Sequence, residues 1–269
     1  MRQNRRYSKS FLILVALIIL LFVMALSAPL LAPNNPNKTD LMRSLLKPSA
    51  EFPLGCDAMG RCVLSRVFYG ARLSIFSSLL IICIIFLAGM MIGVISGYFG
   101  GIADNILTKI ISIAQAFPKL VLAIAIAGIL GIGIRNTIIA LCIVEWSEYA
   151  RLSRSLTFGI RHKTYIKAAR ICGESHLSIV IRQIMPNIVP TLLVNASLGV
   201  ATMIMEVAAL SYLGLGVKSP MSEWGAMMNA GKDYLQRDTR LVIIPGAAIF
   251  IVAVLFNLFG DKLRDVLEK

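Results

Sequence analysis

Few residues of this chain combine reactive chemistry with a spacing that puts them to use. Glu206, in Met205-Glu206-Val207, interrupts an apolar run, and a carboxylate in such a place is costly. It could attract a cation or an amine along a path, or hydrogen-bond a neighbouring helix. Lys163, Lys167, Arg170 and Glu174 recur at spacings of four, three and four, which on a helix makes one charged stripe. Tyr165, Ala168, Ala169 and Cys172 make a second stripe of mostly small residues. A helix of this kind suits a groove on a partner protein, and a basic helix lying on anionic lipid would share the pattern. Gly173 then permits a turn or a close approach, and Pro186 with Pro190 is expected to reset the backbone.

Other chemistry is thinly represented. Cys56 and Cys62, six apart, could pair in an oxidising compartment, whereas a zinc site would want more ligands than this stretch offers. Met203, Met205, Met221, Met227 and Met228 would suit a soft ion such as Cu(I), but methionine is an ordinary gap filler and packing is the better reading. No Gly-x-x-x-x-Gly-Lys-Ser/Thr loop is present to cradle ATP. The sequence therefore leads us to expect no catalytic residue, no metal site and no cofactor.

The elements that must carry these residues follow from composition. The chain has 269 residues, 57% of them apolar and 15% charged, with a mean hydropathy of +0.79, far too much hydrocarbon for one soluble core. A spanning helix needs about 20 apolar residues. Residues 11–32, 73–103 and 241–260 qualify directly; 184–217 and 106–134 qualify if Glu206 and Lys119 are tolerated. Residues 136–158 complete a set of six, although Glu145 and Glu148 interrupt the apolar part. Arg151 and Arg154 stand close enough on a helix to neutralise Glu148. The fold class predicted is all-α and polytopic, one N-terminal helix plus a five-helix core.

The net charge of +13 reads as membrane flanking and not as a nucleic-acid surface. With the N-terminus in the cytoplasm, 15 of the 27 Lys and Arg residues fall inside, seven of them within residues 151–182. The expected division is a basic tail at 1–9, a first helix and outer linker at 10–72, a transmembrane core at 73–260 with a cytoplasmic loop at 151–186, and a tail at 261–269. Arg2, Arg5 and Arg6 ahead of an apolar run also resemble a secretory signal, but the run is longer than such signals use, which favours a retained anchor. Gly89, Gly93 and Gly97, every fourth residue, predict close helix packing.

Lys167-Ala168-Ala169, Gly173 and Ile184-Met185-Pro186 resemble the EAA loop of ABC-importer permeases, whose pattern is Glu-Ala-Ala, three residues, Gly, nine residues, then Ile-x-Leu-Pro. Lys167 stands at the acidic position, Gln183 at the Ile and Met185 at the Leu. The run from Pro53-Leu54-Gly55-Cys56-Asp57 to Leu64-Ser65-Arg66, the stretch Leu210-Ser211-Tyr212-Leu213-Gly214-Leu215-Gly216, Trp224-Gly225 and Phe256-Asn257-Leu258-Phe259-Gly260-Asp261 are similar to the dipeptide, oligopeptide and nickel group. In that group position 56 is usually Thr and position 62 Asp, so a disulfide would be peculiar to this chain.

The resemblance implies a permease of a bacterial inner membrane that works with a second, homologous permease, two ATP-hydrolysing subunits and an extracytoplasmic substrate-binding protein. Tyr165, Lys167, Ala168, Ala169, Gly173, Ile184 and Pro186 would dock an ATPase, and Glu206 would line the path. The implied cargo is a nickel or related metal complex, with a slight preference, or a di- or oligopeptide. A stand-alone ion-coupled carrier or channel is the competing class; it would need buried ionisable groups in several spans, and the sequence offers little beyond Glu206 and Lys119.

Overall fold

A computed structural model describes residues 9–267 of the chain. The basic tail with Arg2, Arg5 and Arg6, and Lys269 at the other end, lie outside the described residues. Eleven helices follow one another among those residues: α1 Lys9–Leu26, α2 Ala28–Leu31, α3 Val63–Phe99, α4 Gly101–Ala114, α5 Lys119–Leu130, α6 Ile134–Ile160, α7 Thr164–Ile171, α8 His176–Ile179, α9 Met185–Tyr212, α10 Trp224–Lys232 and α11 Arg240–Leu267. Residues 41–43 add one 3-10 turn, and Cys56 and Cys62 form an isolated antiparallel bridge.

Four of these stretches are long and apolar enough to cross a bilayer: α1, α3, α11 and the continuous run His176–Tyr212. The span expected at 106–134 is not straight. Its halves meet at 85° around Pro118, which cannot continue a helix from α4. α6 has the length to cross but carries Arg135, Glu145, Glu148, Arg151 and Arg154, and composition alone does not mark it.

α3 begins ten residues before the expected Leu73 and stops at Gly100 instead of Ala103. Its 37 residues rise about 55 Å, well beyond a hydrocarbon core of about 30 Å, so one end stands clear of lipid. Arg66 explains how that end stays ordered. Its guanidinium is buried and donates to the carbonyls of Pro36 and Pro220, both at 3.1 Å.

The glycine row does pack as its spacing predicts, against α6. A methyl group on Gly89 would lie 2.6 Å from Tyr149 Cβ, and one on Gly97 2.7 Å from the Arg154 carbonyl, so only glycine lets these two backbones approach this closely. α1 is peripheral: Ile18, Leu21 and Ala25 face the protein, and Leu12, Ile13, Ile19, Leu20 and Val23 face outward.

Two large apolar cores result, beside a small cluster of Phe52, Cys56 and Cys62 in the linker. The larger gathers α1, α3, α5, α6, α9, α10 and α11 around Ile75, Ile81, Leu141, Ile204 and Trp224. The smaller joins Met90, Val94 and Tyr98 of α3 to Ile160, Ile166, Ile179, Ile184, Ile188 and Leu192.

Candidate functional site

The amphipathic segment folds as a short helix and a turn outside the spans. α7 ends in a Schellman motif: the Glu174 amide donates to the Ala169 carbonyl at 3.0 Å and the Gly173 amide to the Arg170 carbonyl at 3.1 Å. Gly173 supplies the left-handed backbone this closure needs, φ +79°, and nothing crowds its missing side chain. Ser175 then caps α8 by accepting from the Ser178 amide.

One residue anchors α7. Ile166 is 0% exposed in the smaller core, whereas Tyr165, Lys167, Ala168, Cys172 and Gly173 are exposed and Ala169 is half-buried. Ile171 and Leu177, which no stripe had included, are 88% and 70% exposed. The charged stripe is not uniform either: the Arg170 guanidinium lies over the Tyr98 ring at 5.0 Å, and Glu174 accepts from the Ser178 hydroxyl at 2.8 Å. Tyr98 also shares a hydrogen bond with His176 at 2.9 Å, tying α8 to the end of α3.

The prolines do not reset the backbone. Residues 180–184 form a single π turn in which the Met185 amide reaches back to the Val180 carbonyl, and the helix passes through Pro186 and Pro190 into α9. Pro186 has no N–H to offer Arg182 and its ring crowds that carbonyl; a widened turn relieves both problems. Ile184 is buried in the smaller core, while Pro186 is exposed.

A second site lies among the spans. Lys119, at the start of α5, donates to Glu145 Oε2 at 2.8 Å and also pairs with Glu148, both on α6. Glu148 thus takes Lys119 as its partner, and Arg154 turns instead to Asp104 of α4 through two bonds of 2.5 and 2.7 Å. The expected neutralisation of Glu148 by Arg151 and Arg154 fails because bidentate geometry and the fold of α4 offer Arg154 the better carboxylate. A cavity of about 240 Å³ opens here, lined by Lys119, Glu145, Glu148, Asn195, Thr202 and Asn257 among others. Glu145 is 4% exposed, and its Oε1 has no hydrogen-bond partner. Glu206 Oε2 on α9 is likewise buried and unpartnered, one turn beyond the lining residue Thr202.

Residues 89–269 match the family model of the inner-membrane component of binding-protein-dependent transport systems, and residues 5–48 match that of the N-terminal transmembrane domain of oligopeptide transport permease C. The chain belongs to the binding-protein-dependent inner-membrane permeases. It is 39% identical to the probable D,D-dipeptide transport system permease protein of Escherichia coli (strain K12), over 94% of this chain and 85% of that one. Identity to the nickel transport system permease protein of the same strain is 35%, over 94% and 91%. The permease also shares its fold with a chain of the inward-facing MetNI methionine ABC transporter, with a TM-score of 0.56 at 20% identity over 72% of this chain and 94% of that one. As a member of this family, the permease is a multi-pass component of an inner membrane and a transport protein.

Sequence reasoning singled out Glu206 and the amphipathic helix of this permease but did not join Lys119, Glu145 and Glu148 into one cluster. Each member stands out singly, Lys119 as the one cation of residues 110–134 and Glu145 and Glu148 as carboxylates within 136–158, but no local spacing brings them together.

Proposed function

We propose that this chain forms half of the translocation path of an ATP-driven ABC importer, crossing the membrane six times with its N-terminus in the cytoplasm. A second, homologous permease supplies the other half. α7 docks an ATPase subunit through Tyr165, Lys167, Ala168, Ile171 and Cys172, with Ala169 and Gly173 shaping the element, Ile184 holding it from within and Pro186 at its edge. Two such ATPases hydrolyse ATP, an extracytoplasmic binding protein delivers the cargo, and this chain performs no catalysis. The helix Lys9–Leu26 and the linker up to residue 62 flank a core that begins with α3 at Val63 and runs to residue 260.

The observation that carries this reading is the construction of α7: an exposed, apolar outer face on an element pinned by Ile166 into a core shared with α3 and α9. Movement imposed on α7 is thereby passed to two spans. The coupling needs a two-state element acted on by both sites, and the α3, α7 and α9 unit has the contacts for one.

The path reading rests on the polar cavity, where Glu145 and Glu148 outnumber Lys119, and on Glu206 one turn beyond its lining residue Thr202. Both signs of charge, together with Asn195, Asn257 and Thr202, suit the ammonium, carboxylate and amide groups of a small peptide. A cationic metal complex is the second reading, favoured by the similarity to the nickel permease. Uptake of labelled dipeptide and of radioactive nickel with histidine as chelator, in cells with and without the gene, decides between them. Loss of peptide uptake alone supports the first reading, loss of nickel uptake alone the second, and loss of neither overturns both.

A further inference from the structure

The hairpin at residues 55–63 brings its two cysteines face to face. The Val63 amide donates to the Gly55 carbonyl at 3.0 Å and the Asp57 amide to the Arg61 carbonyl at 2.9 Å, so these bonds flank the Cys56 and Cys62 pair on either side. That is the non-hydrogen-bonded register of an antiparallel ladder, in which opposite Cα atoms stand about 4.5 Å apart with both side chains on one face. Disulfides bridge Cα atoms about 4.4–6.8 Å apart. Both residues are buried against Phe52, with Leu64 packed beside them.

The surroundings are fixed. Asp57 Oδ1 accepts from the amides of Met59 and Arg61 at 2.9 and 3.0 Å, and Asp57 Oδ2 from Arg61 Nε at 2.7 Å, which closes the tip. The linker runs alongside: the Asp40 amide donates to the Met59 carbonyl, Leu45 to Asp57, and Cys56 to the Leu46 carbonyl. Arg66 then ties this cap to Pro220.

We propose that Cys56 and Cys62 are joined as a disulfide in the mature membrane protein, stapling the cap that covers the extracytoplasmic end of α3. The proposal rests on the orientation given above, which puts the hairpin on the oxidising side. Formation consumes two thiols: one thiolate attacks the disulfide of a thiol–disulfide oxidoreductase and releases one of its thiolates. The other cysteine then displaces the second thiolate, leaving the S–S bond here and a dithiol on the oxidant. Two electrons and two protons leave the hairpin.

The bond is structural and not a switch. Burial, and then the neighbouring Cys62, push the folded Cys56 thiol up to about 11, which leaves almost no attacking thiolate near neutral pH. Both residues are buried, at 0% and 2% exposure, which shields the closed bond from reductants. Cys83, Cys142 and Cys172 lie on α3, α6 and α7, away from the hairpin, and serve as an internal count of free thiols.

The full chain in native membranes is acid-quenched, denatured, blocked with N-ethylmaleimide, then reduced and tagged with a polyethylene-glycol maleimide. The expected result is two tags per chain after reduction and none without it. Trypsin cuts after Arg61, between the two cysteines, so unreduced digests should contain the Cys56 and Cys62 peptides as one linked species. Five thiols blocked before reduction overturn the proposal. In that event, oxidised glutathione is added to detergent-purified protein unfolded in urea and allowed to refold. Pairing there indicts the orientation as well, whereas failure to pair indicts only the hairpin geometry.

Discussion

Glu145 is a buried carboxylate with only one of its oxygens satisfied. One oxygen is held by Lys119 and the other has no partner, so the carboxylate is stable only while the ammonium stays. Removing one member of a buried pair strands the other. Lys119→Met should therefore destabilise the detergent-solubilised protein by roughly 3 kcal/mol, read as a lowered unfolding midpoint, and Lys119→Met with Glu145→Gln should recover most of it. Glu206 lacks such a partner, so Glu206→Gln should leave assembly intact and cut uptake several-fold; wild-type uptake would remove Glu206 from the path. Glu206 was legible in the sequence because a carboxylate stands out in an apolar run. The Lys119 cluster was not, because its members are 26 and 29 residues apart and local spacing pointed Glu148 toward Arg151 and Arg154.

α7 separates two roles that the spacing of its stripes leaves merged. Ile166 holds the helix, and Ile171 faces outward. Ile166→Ala should cost about 2–4 kcal/mol by opening a cavity in the smaller core. Ile171→Glu, on the open face, should change the stability of the isolated chain by no more than about 0.5 kcal/mol and yet abolish co-purification of the ATPase subunits. Equal loss of stability in both variants would mean that α7 has no docking face. The helix itself was readable from its period and from Gly173, which marks a Schellman ending. The passage through Pro186 was not, since a proline near a helix start reads locally as a break, and only the π turn over residues 180–184 shows how the helix accommodates it.

The whole molecule turns on which surfaces face which compartment. Composition revealed the apolar spans, and the glycine row marked one close contact, but the bend between α4 and α5 and the division into two cores depend on which helices meet, and no local pattern encodes that. Cys172 gives a direct test of the resulting arrangement. It is exposed at the end of α7, while Cys56 and Cys62 are buried. Cys83 and Cys142 sit within α3 and α6, and a charged maleimide has no access to a thiol surrounded by hydrocarbon. Such a reagent should label Cys172 in inverted membrane vesicles and leave it untouched in right-side-out ones. Adding the ATPase subunits to inverted vesicles should then slow the labelling by at least tenfold, because a docked partner covers the face that Cys172 shares with Ala168 and Ile171. Labelling from the opposite side would reverse the topology and place the hairpin with Cys56 and Cys62 in the cytoplasm. Labelling from the expected side without protection would keep the topology and move the ATPase contact away from α7.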